Sequence, residues 1–310
     1  MKKRKTSSRA RPRNRFHPLY TLLALALGLS CHSCADLPTG RELAAAGAGM
    51  EVLVKALGTA VREQADAAIS SPKTVPTPGT RTNDKASSFS ACRHFFASGI
   101  PPVVAPRPTH RALCYDAFAI LHSGESKTAV FVAQRLNRAS VLDADEERTD
   151  KFFADARLPS VERATLPDYI GSGLDRGHLA PAGDMPTTQA MAQSFSLANM
   201  VPQALSHNRG AWKNSVEIPT RKYAGRASGD VYVITGPVYS LSIDQSASIG
   251  AGHVRVPKYL FKLVYDEDQN RAWVHWHLND NSTRGSKPIS YGELVRRTGI
   301  EFLPGAHLSE

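Results

Sequence analysis

Runs rich in Val, Ile, Phe, Tyr and Trp recur at residues 128–133, 231–235, 259–265 and 272–278, and each predicts a strand. Gly236-Pro237 is expected to end the second of these. The polar stretch 266–270 predicts a turn that joins the third and fourth into a hairpin. Helical spacing of apolar positions is rarer: it predicts helices over 188–197, around 208–216 and over 290–298. Strands joined by hairpins, without regular strand–helix alternation, predict an α+β domain with a mainly antiparallel sheet. Upstream, Met50, Leu53, Val54, Leu57 and Val61 fall at helical spacing in an Ala-rich stretch and predict one helix over 41–69. Residues 70–90 are mostly Pro, Thr, Ser, Gly and Lys and read as a linker. The expected organisation is a leader at 1–35, a helical segment at 36–69, the linker, and a domain at 91–310.

Charge changes this picture less than it first suggests. The formal charge of the 310 residues is +10, but the first 35 hold eight Lys or Arg and no Asp or Glu, which leaves +2 for the rest. Overall basicity is therefore weak support for nucleic-acid binding. The leader has the layout of an export signal. Basic residues from Lys2 to Arg15 precede an apolar run over 19–29, and Ser33-Cys34-Ala35 is a small-x-small cleavage site before Asp36. That run is about half of the roughly 20 residues needed to span a bilayer. Export to the periplasm or beyond the cell is the expectation, with Cys31 open as a lipidated tether. Cys92 and Cys114 remain as an isolated pair, which in an oxidising compartment reads as a disulfide, two buried thiols being the alternative.

Candidate chemistry concentrates in residues 169–221. Asp175-Arg176-Gly177-His178 is followed by Asn199-Met200-Val201-Pro202-Gln203, then by Asn208, Trp212 and Glu217. Hydrolysis of a phosphodiester needs an activated water, neutralisation of charge on the phosphate, and help for the leaving oxygen. His178 suits a general base, since an unperturbed imidazole titrates near neutrality. Asn208 offers one oxygen ligand to a hard cation such as Mg²⁺, which keeps several of its waters, and Glu217 can accept hydrogen bonds from such waters. Arg176 and Arg221 supply cationic donors for phosphate oxygens.

These three motifs in this order resemble the DNA/RNA non-specific endonucleases, the ββα-metal or His-Me finger family that includes mitochondrial endonuclease G. The likeness extends more loosely over about 92–304, including Thr235-Gly236-Pro237-Val238-Tyr239 and the Cys92/Cys114 segment. The resemblance implies DNA and RNA as substrates and Mg²⁺ or Mn²⁺ as cofactor; no stable protein partner is inferred. It implies that His178 activates water, Asn208 is the sole direct protein ligand, Glu217 holds metal-bound waters, Arg176 contacts phosphate and Asn199 orders the site around His178. It assigns Asp175 a bracing role. One departure stands out. The family usually places its Glu four residues after the Trp, whereas Glu217 comes five after Trp212, with Val216 in the usual slot. Glu217 and Arg221 keep the family's four-residue spacing, but Pro219 lies between them and is expected to break the helix or mark an irregularity in it.

Other features have plainer readings beside the functional ones. Arg209, Lys213, Lys222 and Arg226 could touch a nucleic-acid backbone or form a solvated face. Trp212 reads as a core anchor. His275 and His277 alternate on one strand face and could form a second metal site, although no third ligand is evident. Two rival functions use the same residues: a metal phosphodiesterase of small diesters, and a non-enzymatic nucleic-acid-binding protein.

Overall fold

The computed structural model describes residues 88–239, 245–306 and 308. The leader, the helix expected at 41–69 and almost all of the linker lie outside these residues. Phe89, inside the range read as linker, is buried against Phe96 and Phe131, so the packed domain already includes it.

Six strands form one fully antiparallel sheet: β1 (His110–Cys114), β2 (Ala119–Ser123), β3 (Thr128–Leu136), β6 (Val231–Val238), β9 (Tyr259–Asp266) and β10 (Arg271–Leu278), in that spatial order. The hairpin expected from 259–278 is β9–β10. Three strands depart from the sequence reading. β1 and β2 are short and carry no clean alternation, so the pattern did not reveal them. β6 runs through Gly236-Pro237 instead of ending there. Its pairing with β3 stops at Thr235, so Pro237 sits where only β9 remains as a neighbour and a missing N–H is tolerated.

Period-two alternation divides the sheet into two faces. Phe131, Ala133, Ile234, Phe261, Leu263 and Val274 pack beneath the N-terminal Phe89, Phe95 and Phe96 and the C-terminal Leu294, Phe302 and Leu303. A disulfide between Cys92 and Cys114 ties the N-terminal segment to the end of β1. Closing a loop of this size contributes about 3 kcal/mol in the chain-entropy account. The opposite face, through Val132 and Leu260, buries Leu179, Met191, Phe195, Trp212 and Val216. Val233 and Val264 continue it against Ala224.

On that second face sits a small separate hairpin, β4 (Leu174–His178) with β5 (Met200–Ala204), in the register Asp175↔Gln203, Gly177↔Val201 and His178↔Met200. Helix α1 (Thr188–Ser194) and a turn at Leu197–Asn199 connect its strands, so the helix ends before the 197 expected for it. A longer helix, α2, follows. Its first segment, His207–Glu217, is π-helical, and it passes directly into an α-helical segment, Ile218–Ala224. Helix α3 (Tyr291–Thr298) is capped by Ser290 and stopped by Gly299 in the left-handed region, φ 68°. β4, β5 and α2 together make a ββα finger on one face of an antiparallel sheet, the α+β arrangement expected.

Candidate active site

The finger walls a cleft of about 560 Å³ lined by Asp175, Arg176, His178, Asn208, Glu217 and Arg221, with Arg148, Phe152, Arg209 and Lys213 completing it. Five of the six residues singled out for the site by sequence thus meet in one place. The sixth, Asn199, does not reach the cleft. It is fully buried, and its amide is spent on backbone: Nδ2 donates to the carbonyls of Ala180 and Ser194, and Oδ1 accepts from the N–H of Ala180, each at 2.9 Å. It latches the chain just after His178 and does not line the cleft.

His178 and Arg176 share one face of β4, and both lie against Phe152. The imidazole also meets the Phe195 ring edge-on at 5.1 Å, and Arg148 covers that same ring at 4.9 Å. Its Nε2 is buried without a hydrogen-bond partner. Burial, then the positive charge of Arg148 and, more weakly, Arg176, pushes the His178 pKa down to about 3, with Asp150 opposing. The ring is therefore neutral near pH 7 and able to accept a proton.

Asp175 faces α2. Its carboxylate accepts from Asn208 Nδ2 at 2.9 Å and from two nitrogens of Arg209 at 2.8 and 2.6 Å. Burial works against this carboxylate, but those bonds outweigh it and hold the pKa below the usual value. A carboxylate can only accept, so the Asn208 edge turned toward it is the NH₂, and Oδ1 is left over. This sets the bracing role expected for Asp175. Arg209, exposed at the rim of the cleft, pairs through Nε and Nη2 with this carboxylate.

The spacing anomaly at Glu217 has a geometric answer. Nine residues separate Asn208 from Glu217, about two and a half turns of an α-helix, which would put them on opposite sides. Bonding from i to i+5 takes nearly one more residue per turn, so in the π-helical segment the same nine residues make about two turns. The C-cap N–H of Ile218 accordingly reaches back five residues to the carbonyl of Lys213. Both Asn208 and Glu217 therefore face the cleft, while Trp212 and Val216 remain fully buried beneath. Of the two expectations for Pro219, a break or an irregularity, the helix shows the irregularity. Pro219 falls in the first turn of the α-helical segment, where a missing N–H is tolerated. Gly177 answers to the same packing: a side chain there would collide with Gln203, whose Nε2 donates to His207 Nδ1 at 3.1 Å and joins β5 to the start of α2.

Among the described residues Glu217 has no hydrogen-bond partner. Burial pushes its carboxyl up to about 7, against the opposing charge of Lys262 and, less strongly, Arg221 and Lys213. Arg221 is anchored by Asp184 at 2.6 Å. His277, considered for a second metal, instead shares a hydrogen bond with His207 at 3.2 Å under α2. Among the described residues no group of three His, Cys, Asp or Glu is placed to hold a metal ion.

A sequence model of the family described as DNA/RNA non-specific endonuclease matches residues 98–307. The chain belongs to this family. It is 32% identical over 214 residues to the mitochondrial nuclease EXOG of Homo sapiens, covering 62% of this chain and 57% of that one. It is 35% identical over 205 residues to nuclease C1 of Cunninghamella echinulata var. echinulata, covering 61% and 79% respectively. In fold it is similar to a chain from the crystal structure of the EndoG/EndoGI complex, with a TM-score of 0.55, 24% identity, and coverage of 62% of this chain and 85% of that one. The three EXOG relatives from Xenopus laevis, Homo sapiens and Danio rerio are covered over 44%, 57% and 60% of their lengths.

Within this endonuclease fold, four cleft or subcleft residues escaped the sequence reading: Arg148, Phe152, Asp184 and Lys262. Arg148 sits in a run of mixed charge that offers no signal. Lys262 was visible in principle, because a lysine between Phe261 and Leu263 in an otherwise apolar strand violates the usual pattern.

Proposed function

We propose that the protein is an exported, metal-dependent nuclease that hydrolyses phosphodiesters of both DNA and RNA. The observation that carries this reading is the pairing of a neutral imidazole with an Asn208 oxygen left over by Asp175, in one cleft. The donors fit Mg²⁺ or Mn²⁺: Asn208 would be the one direct protein ligand, and Glu217, half-buried and without a protein partner, would hold metal-bound waters. When bound, the cation stabilises charge on the phosphate and on the leaving oxygen. His178 takes the proton of the attacking water. Arg176, Arg148 and Arg221, all lining the cleft, donate to phosphate oxygens. Such contacts read the backbone and not the bases, which suits cleavage without sequence preference. Supercoiled plasmid and a transcribed RNA should both be degraded by the purified protein in Mg²⁺, and chelator should stop both reactions until Mg²⁺ is restored. Cleavage of a small chromogenic diester with no action on either polymer would refute this reading.

Export rests on the basic and apolar order of residues 1–35 and on the Cys92–Cys114 disulfide, which suits an oxidising compartment. Protein recovered outside the cytoplasm should begin at Asp36 on N-terminal sequencing. A lipid-modified Cys31 at the N-terminus would establish the tether instead, and an intact leader on cytoplasmic protein would reject export.

A further inference from the structure

Arg221 comes to the cleft from the α-helical segment of α2, but what holds it comes from the chain that carries His178. After His178 the backbone is pinned at Ala180, whose N–H and carbonyl both bond to Asn199 at 2.9 Å. It then closes a turn, Ala182–Asp184, in which the Asp184 N–H donates to the Pro181 carbonyl at 3.0 Å. Asp184 is buried, and its Oδ1 accepts from Arg221 Nε at 2.6 Å. That bond occupies one edge of the guanidinium and leaves the two terminal nitrogens. The neighbouring Gly183 makes the second contact. A Cβ there would stand 2.6 Å from Nη2, 2.9 Å from Cζ and 3.1 Å from Nη1, so the guanidinium lies over the bare glycine backbone. An arginine without such support would give up its rotamer freedom on meeting a phosphate, whereas one already held has little left to lose. The negative charge of Asp184 would by itself oppose an incoming phosphate, so its contribution is orientation.

We propose that Asp184 and Gly183 are positioning residues, a socket that presets the terminal nitrogens of Arg221 for a substrate phosphate oxygen at a fixed offset from His178. This rests on the reading of Arg221 as a phosphate donor. Asp184 does not line the cleft, so it acts on substrate only through the arginine. Loss of the socket leaves the charge of Arg221 in place but lets its end wander, and a misplacement of about 1 Å can cost roughly 10²-fold in rate.

The test is kcat/KM of the whole protein on a fluorogenic DNA oligonucleotide in saturating Mg²⁺, with thermal unfolding as a fold control and Mn²⁺ binding, followed by electron paramagnetic resonance, as a second readout. Asp184→Ala should lower kcat/KM by about 10²-fold and leave Mn²⁺ binding at wild-type strength, because Asn208 is untouched. Asp184→Asn, whose Oδ1 can still accept from Nε, should recover part of the loss. Arg221→Ala should be at least as slow as Asp184→Ala, and the double variant no slower than Arg221→Ala alone, because both act through one guanidinium. If Asp184→Ala does not fold, Gly183→Ala carries the test: its methyl group displaces the flexible end of Arg221 and should lower kcat/KM in the same direction, again without further loss in Arg221→Ala. Unchanged kcat/KM in Asp184→Ala or its stand-in, no recovery in Asp184→Asn, a parallel loss of Mn²⁺ binding, or losses that multiply in the double variant would overturn the socket, while a defect in Arg221→Ala would still support the reading of Arg221. Wild-type kcat/KM in Arg221→Ala would sink that reading and the inference with it.

Discussion

Replacing His178 with alanine is expected to cut nuclease turnover by ~10²–10⁴-fold, the usual contribution of a positioned general base. Fold and metal binding should persist. His178 lies on a short hairpin strand, and its Nε2 makes no protein hydrogen bond that the substitution would orphan. The loss should therefore appear in kcat, while thermal unfolding and Mn²⁺ binding stay near wild type. A second consequence concerns acid stability. The native pKa of about 3 lies below the ordinary value of 6.5, so the unfolded chain binds a proton that the native one refuses. His178 thus lowers stability progressively as pH falls from about 6.5 toward 3, and its removal should make the protein less sensitive to acid over that window. Wild-type turnover in His178→Ala would remove the imidazole from the reaction.

Asn208→Ala should be nearly as damaging, by a different route. With the Oδ1 gone, the cleft loses the direct protein ligand proposed for the cation, and Mn²⁺ affinity should fall by more than the roughly 10–100-fold typical of groups that only orient ligands. Asp175 and Arg209 would still pair at 2.6 Å, so the hairpin and α2 should stay joined. Here the signature is the reverse of His178→Ala: activity should recover in part as Mg²⁺ is raised, whereas no metal concentration restores the base. Mn²⁺ binding at wild-type strength in Asn208→Ala would show that the cation is held elsewhere.

The contrast between these variants reflects what each part of the site is made of. Asp175 to His178 was legible because strand β4 is short, polar and built of residues whose chemistry announces itself. β9 and β10 were legible because apolar runs around a polar turn have few other uses. The reading failed where one residue acts on another at long range. Asn199 carries an amide suited to catalysis, yet three backbone bonds consume it. Arg209 is exposed and basic, yet Asp175 holds it. β2 lacks alternation because both of its faces are largely covered, which removes the contrast the pattern depends on.

The sequence by itself determined the α+β class, the hairpin-joined strands, the residues proposed as base and metal ligand, and the family resemblance. These depend on residue type and local order, which a linear chain displays. Tertiary structure alone decided that Glu217 reaches the cleft. Its spacing from Trp212 looks wrong on an α-helix, and only the π-helical winding of His207–Glu217, fixed by burying Trp212 and Val216 against the sheet, turns it back to the face of Asn208. Tertiary structure also decided the edge of Asn208 that faces outward and the burial that keeps His178 neutral. Orientation and desolvation are properties of surroundings assembled from distant parts of the chain, and no single stretch of sequence contains them.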